Sequence, residues 1–325
     1  LQDGFVPVKD LVHRAADLGM RALALTDEHT LAGIPLFWTE CHKRNIKPIV
    51  GAELNVWYDD AKNRDDDHNR LIFLVESEKG YLNLVYLVTL ANNKKDGAFC
   101  GVCYSDLFGH TEGLVVLVGA RKSWLRYLLS RNMRTEAEEY LNFLVLDDKT
   151  SLFDNDQIVF ALEPEGGDLD TGIISRLFRA ANVGSFLCVA VANVRCLAIE
   201  DSICCDFVDN VTPPESFDPK QIRRRRSNQY MMTQREMMSR LDNEMHIAIA
   251  NTLSIVDRCS RLTLDFESLR SPEQDFIRGM NAETYLCDKT LKCALSRLNV
   301  KQLSEEVKER LDLEFDYIMG HNWVN

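Results

Sequence analysis

The chain has 325 residues, 46% of them hydrophobic, ten cysteines and a formal net charge of −12. That length and apolar content can bury the core of one large domain or two of ordinary size. The negative balance excludes a nucleic-acid footprint over the whole surface, leaving room only for a local basic patch. No apolar run reaches the roughly 18 residues of a membrane span, and Leu1-Gln-Asp-Gly lacks the charged and apolar regions of a signal peptide. The scattered cysteines read as reduced thiols of a cytosolic protein. A zinc site at Cys100/Cys103 would need two further ligands, and none recurs at matching spacing. The missing Met and the end at Asn325 read as those of a piece cut from something longer.

In chain order, Val8, Leu11, Val12 and Ala15 share one helical face, with Gly19 as a stop. A strand is predicted over 21–26, ending in Thr26-Asp27-Glu28-His29. A helix over 34–44 and a strand from Lys47 to Val56 follow. The acidic stretch 59–67 reads as a loop, 71–75 as a buried strand and 81–91 as a helix. Residues 95–112 are turn-rich and weakly patterned. Beyond them the pattern predicts strands over 114–118, 158–163 and 186–192. Helices are predicted near 124–130, over 136–146, over 173–181 and over 199–211. Apolar strands alternating with helices imply a parallel sheet covered on both faces, closed as a barrel of six or seven βα units. In such folds the carboxyl ends of the strands carry the chemistry, and Asp27, Glu28 and His29 stand there.

Prolines cluster at 212–219 and the strand pattern stops. From there the chain is helical and more charged. An apolar helical periodicity runs over 237–257, and Ser304 opens a helix laced with charged pairs.

Several stretches together resemble the N-terminal part of bacterial DNA polymerase III alpha subunits. They are Thr26-Asp27 with Leu31 and Gly33, Lys47-Pro-Ile-Val-Gly51-Ala-Glu53, and Gly80-Tyr81 with Asn83-Leu84. Further on are Asn228-Gln-Tyr230 with Glu236-Met237, Ala250-Asn-Thr252 with Ile255 and Arg258-Cys259, and Arg310-Leu311 with Glu314 and Ile318-Met319-Gly320. Their order and spacing match over essentially the whole chain. The resemblance implies an α/β fold: a distorted (β/α)7 barrel of the polymerase-and-histidinol-phosphatase (PHP) type over 1–211, lacking its first strand. A basic linker over 212–235 and a helical region over 236–325, entering the polymerase proper, would follow.

Active PHP domains hold metal ions on His, Asp and Glu ligands at strand ends, and the ions activate water against a phosphoester. By the resemblance, Asp3 and Glu53 match two carboxylate ligands. The other matched positions depart from the pattern. Glu28 follows Thr26-Asp27 where relatives have His, which displaces the imidazole to His29. Arg70 stands in place of a ligand His, with His68 two residues away. Asn193-Val194-Arg195 replaces Asn-Asp-x-His. A guanidinium stays protonated and has no lone pair to give, so Arg70 and Arg195 cannot ligate. The arginines instead read as substitutes for the ions, pairing with Asp3, Glu28 and Glu53. Neither zinc nor manganese is then expected in the PHP site.

Three functions follow. The first is a piece of a DNA polymerase whose PHP domain is a scaffold. By resemblance this scaffold docks a proofreading exonuclease subunit, and the parent uses Mg2+, primer-template DNA and deoxynucleotides and reaches a sliding clamp through regions outside this chain. The second is a metal-dependent 3′–5′ exonuclease or phosphoesterase in the PHP domain itself. The third is a free-standing PHP phosphatase. The helical tail argues against the third and the arginines against the second. The palm carboxylates of the polymerase are not in this chain, so the piece itself should not polymerise. The run Arg223-Arg224-Arg225-Arg226, with Tyr230 nearby, is a candidate contact for DNA phosphates. His13, His42 and His246 fall in predicted helices without a ligand-type partner at i+4 and read as surface or core residues.

Overall fold

The computed structural model describes residues 6–58, 69–93, 100–145, 152–164, 168–201, 229–266 and 281–320. Contacts divide the chain into two compact units, Leu1–Leu264 and Asp265–Asn325.

The first unit opens with helix α1 (Val8–Asp17), strand β1 (Ala22–Leu25), helix α2 (Ile34–Lys43) and the long strand β2 (Lys47–Trp57). Strand β3 (Arg70–Val75), helix α3 (Glu78–Asn93), the two-residue strand β4 (Val102–Cys103) and the short helix α4 (Tyr104–Leu107) follow. Then come β5 (Leu114–Val118), α5 (Trp124–Ser130), α6 (Arg134–Val145), β6 (Ile158–Leu162), α7 (Asp168–Val183) and β7 (Leu187–Ala190). The α/β architecture is the expected one, and it forms a half-barrel. Its seven strands run in the order β1-β2-β3-β5-β6-β7, with β4 attached to the far end of β2.

The sheet is mixed, which corrects the expectation of a parallel one. Strand β3 runs antiparallel to both β2 and β5, while β1–β2, β5–β6 and β6–β7 are parallel. An apolar run covered on both faces looks the same in either direction, so pattern could not reveal the reversal. The stretch read as turn-rich also contains β4 and α4, both too short to show a period. Of the helix read over 199–211, the described residues show a 3-10 turn at Ile199–Asp201, and the rest of that span lies outside the described residues.

Side chains alternate across the sheet. One face carries Val50, Leu54, Phe73, Val116 and Phe160, fully buried. The other carries Ile49, Leu74, Val115, Leu117, Val159, Ala161 and Val189, which form one cluster with Ile255 and Cys259. The predicted long helix over 237–257 is broken into α8 (Gln234–Met238), α9 (Ile247–Ala250) and α10 (Thr252–Cys259). The last of these lays its apolar stripe on that second face of the sheet. It is held at the end where the parallel strands begin. Asn251 Nδ2 donates to the Cys188 carbonyl at 2.9 Å, Lys47 Nζ to that of Ser260 at 2.9 Å and Arg258 Nη1 to that of Asp156 at 2.7 Å. Arg258 also pairs with Glu76.

The second unit contains α11 (Ala282–Leu298) and α12 (Glu305–Gly320). Asn281 caps α11 by accepting the Thr284 N–H at 2.8 Å, and Asn299, with φ 51°, ends it in a left-handed turn. Exposed pairs such as Lys292–Asp288 line its surface.

The Gly80-Tyr81-x-Asn83-Leu84 stretch has a steric explanation. Helix α3 packs on the turn before β5 so closely that a Cβ on Gly80 would lie 1.9 Å from the Gly113 carbonyl oxygen. Asn83 is buried beside it, and its Nδ2 donates to the Glu112 carbonyl at 2.9 Å. Gly80→Ala is therefore expected to destabilise the protein by about 3 kcal/mol, at the upper end of overpacking costs. Urea midpoints check this, and an unchanged midpoint would refute the close approach.

Candidate functional site

The polar cluster on the sheet forms where β1 runs out beside β2. After Leu25 the chain stays extended, so the Glu53 N–H donates to the Asp27 carbonyl at 3.2 Å and the His29 N–H to the Glu53 carbonyl at 2.9 Å. This isolated parallel bridge sets Glu28 beside Glu53. On the other flank of β2, Asn55 is in register with Arg70, one pleat from Glu53 on the same face. The backbone ladder thus delivers two carboxylates and one guanidinium to one spot.

Arg70 joins them. Its Nη2 donates to Glu28 Oε1 at 2.7 Å and its Nη1 to Glu53 Oε2 at 3.4 Å. Its own backbone N–H donates to the Lys122 carbonyl at 3.0 Å, which ties the group to the loop after β5. His29, held at φ 55°, brings Nε2 to 3.8 Å from Glu28 Oε1. Burial pushes the Glu53 carboxyl above its ordinary range. Arg70 pulls it back, and the Glu28 charge adds to the upward push.

The remaining candidate residues are placed as follows. The Asp27 backbone belongs to the bridge, and its Oδ2 lies where a Cβ on Gly33 would meet it at 3.3 Å. Asn193 is exposed beyond β7. Arg195 is buried, and its N–H donates to the Gln229 carbonyl at 2.8 Å. Asp3, His68 and Arg223–Arg226 lie outside the described residues. Reading the residues alone missed the role of Lys122, whose carbonyl anchors Arg70. Only its position just past a strand end could have pointed to it.

Residues 1–149 match the family model of the PHP domain. The chain as a whole is similar to the DNA polymerase III subunit alpha of Treponema pallidum, at 27% identity over 100% of this chain and 28% of the relative. It is also similar to that of Escherichia coli O157:H7, at 29% identity over 97% and 26%. An error-prone DNA polymerase of Symbiobacterium thermophilum matches at 26% identity over 97% and 29%. The chain therefore spans little more than a quarter of the length of the curated relatives it matches.

A metal cluster at this position does not fit the described residues. The carboxylates of Glu28 and Glu53 are both occupied by a guanidinium, which repels cations and donates no electron pair. Among the described residues, no three His, Cys, Asp or Glu side chains are grouped to hold an ion.

The triad of Glu28, Glu53 and Arg70 makes two expectations. The Arg70 and Glu28 side chains are 13% and 29% exposed, between the regimes of surface and buried pairs. Arg70→Ala, which leaves Glu28 and Glu53 facing each other, should cost about 2 kcal/mol. That corresponds to roughly 5 °C of melting temperature. Arg70→Lys, lacking the planar fork, should recover only part of the loss.

The second expectation concerns pH. A carboxyl held above its unfolded value binds its proton more tightly in the folded state. Its contribution to stability is therefore full below the unfolded value and falls as pH rises through the folded one. Glu53→Gln cannot ionise, so its urea midpoint should fall less than that of the parent as pH rises above the unfolded carboxyl value. Parallel curves would contradict the raised carboxyl.

Proposed function

We propose that this chain is the N-terminal part of a C-family DNA polymerase, in which the PHP domain serves as a scaffold without metal chemistry. The observation that carries the scaffold reading is Arg70 between Glu28 and Glu53. In a ligand-complete relative, ions would tie these strand ends together and polarise water. Here hydrogen-bonded charge pairs tie them. Similarity across the whole chain to polymerase alpha subunits supports the polymerase assignment, because it extends through Ile255, Cys259 and the helices beyond.

In this reading the parent protein extends a DNA primer with deoxynucleotides, using Mg2+ ions held by palm carboxylates beyond this chain. The PHP scaffold steadies that polymerase and docks a proofreading exonuclease subunit, and a sliding clamp is reached through other regions. The run Arg223–Arg226 contributes a DNA-phosphate contact.

The test is a two-part assay of the gene product at its natural length. It should extend a primed template with Mg2+. It should release no nucleotide from a 3′-labelled strand when Mn2+ or Zn2+ is supplied and the palm is inactivated. Metal-dependent release that disappears in Glu53→Gln would overturn the scaffold reading. Failure to extend any primer would overturn the polymerase reading.

A further inference from the structure

The other end of the same strands carries a second feature. A cavity of about 560 Å³ opens beside the starts of β1 and β2, lined by Arg21, Trp38, His42, Lys47, Leu262 and Thr263. Its size lies within the range of small-ligand sites. It lies within the first compact unit, at the opposite end of the strands from Arg70, and it does not depend on the polymerase reading.

The wall chemistry is specific. Trp38 and His42 sit one turn apart on α2, with ring centroids 4.9 Å apart. The His42 Nδ1–H donates to the Trp38 carbonyl at 2.8 Å, which fixes the imidazole beside the indole and leaves Nε2 as its remaining polar atom. Arg21 is exposed at the mouth. Lys47 Nζ is held over the opening by its bond to the Ser260 carbonyl and keeps two further protons. The cavity thus pairs an aromatic side chain with one fixed cation, Lys47, and one exposed cation, Arg21.

The features that would repel an anion are neutralised. Helix α2 ends here, and a helix C-terminus is electronegative. Two of its last carbonyls are already bonded. Cys41 accepts from the N–H groups of Arg44 and Ile46, and His42 accepts from that of Asn45. Glu40, the acidic residue of α2, is buried and paired with Lys43 at 2.9 Å.

We propose that this cavity takes one nucleotide unit of single-stranded DNA, its base against Trp38 and its phosphate between Arg21 and Lys47. Base stacking on an aromatic ring and phosphate neutralisation are the two terms that such a site supplies.

The test uses the full chain and an oligothymidylate about ten nucleotides long, followed by tryptophan fluorescence and anisotropy. Binding should quench the indole and weaken roughly tenfold in Trp38→Ala, with Trp38→Phe retaining most of the affinity. Arg21→Ala, at an exposed position where folding is safe, should weaken binding several-fold and flatten its salt dependence. An abasic strand should bind weakly and leave the indole unquenched.

The proposal is overturned by any of four results. Binding could be unchanged in both Trp38→Ala and Arg21→Ala. The abasic strand could bind as well as the thymidylate. Binding could be lost only when Arg223–Arg226 are neutralised. Thymidine monophosphate or oligoglutamate could bind as tightly as the strand, which would make this a free-nucleotide or acidic-peptide site.

Discussion

A half-barrel has an inner face that no second sheet covers, and that constraint organises the molecule. The inner face bears Ile49, Leu74, Val115, Leu117, Val159 and Val189, an apolar surface that would otherwise meet water. Helix α10 covers it from the end where the parallel strands begin, inserting Ile255 and Cys259. At ~25 cal/mol per Å2 of apolar area, burial of side chains of this size is worth about 2 kcal/mol each. The polar bonds of Asn251, Lys47 and Arg258 fix which stripe of the helix points inward. The other end of the same face is closed by charge, with Arg70 between Glu28 and Glu53.

The two closures divide the labour of the sheet. Burial of Ile255 and Cys259 supplies cohesion without direction. The Arg70 fork supplies direction, because a planar guanidinium accepts only certain carboxylate positions. Strand β2 joins them. It meets β1 along its first half, β3 along its second and β4 at its tip, and it carries Lys47 at one end and Glu53 between. Displacing β2 would disturb both closures together.

Much of this was legible in the sequence, for identifiable reasons. Strands β5 and β6 and helix α5 announce themselves by apolar runs and periods that local sequence fixes. That Arg70 binds no ion was legible because a guanidinium has no lone pair to give, and the structure places it between Glu28 and Glu53. The direction of β3 was not legible, since Leu71–Val75 buries both faces and its pattern is indifferent to orientation. The covering role of α10 was not legible either. Periodicity shows that Ile255 and Cys259 share a stripe but not which surface receives it. The cavity at Trp38 draws on residues from Arg21 to Thr263, a grouping visible only once the chain has folded.

The bond from Lys47 to Ser260 spans 213 residues. At ribosomal speeds of ~5–20 residues per second, the strand precedes the segment that holds it by on the order of ten to forty seconds. For that interval the nascent sheet shows this apolar face to solvent with no lid yet synthesised. A chain built this way matures only after its helical tail emerges, so its exposure to chaperones and proteases is set by the rate of translation rather than by the speed of strand pairing.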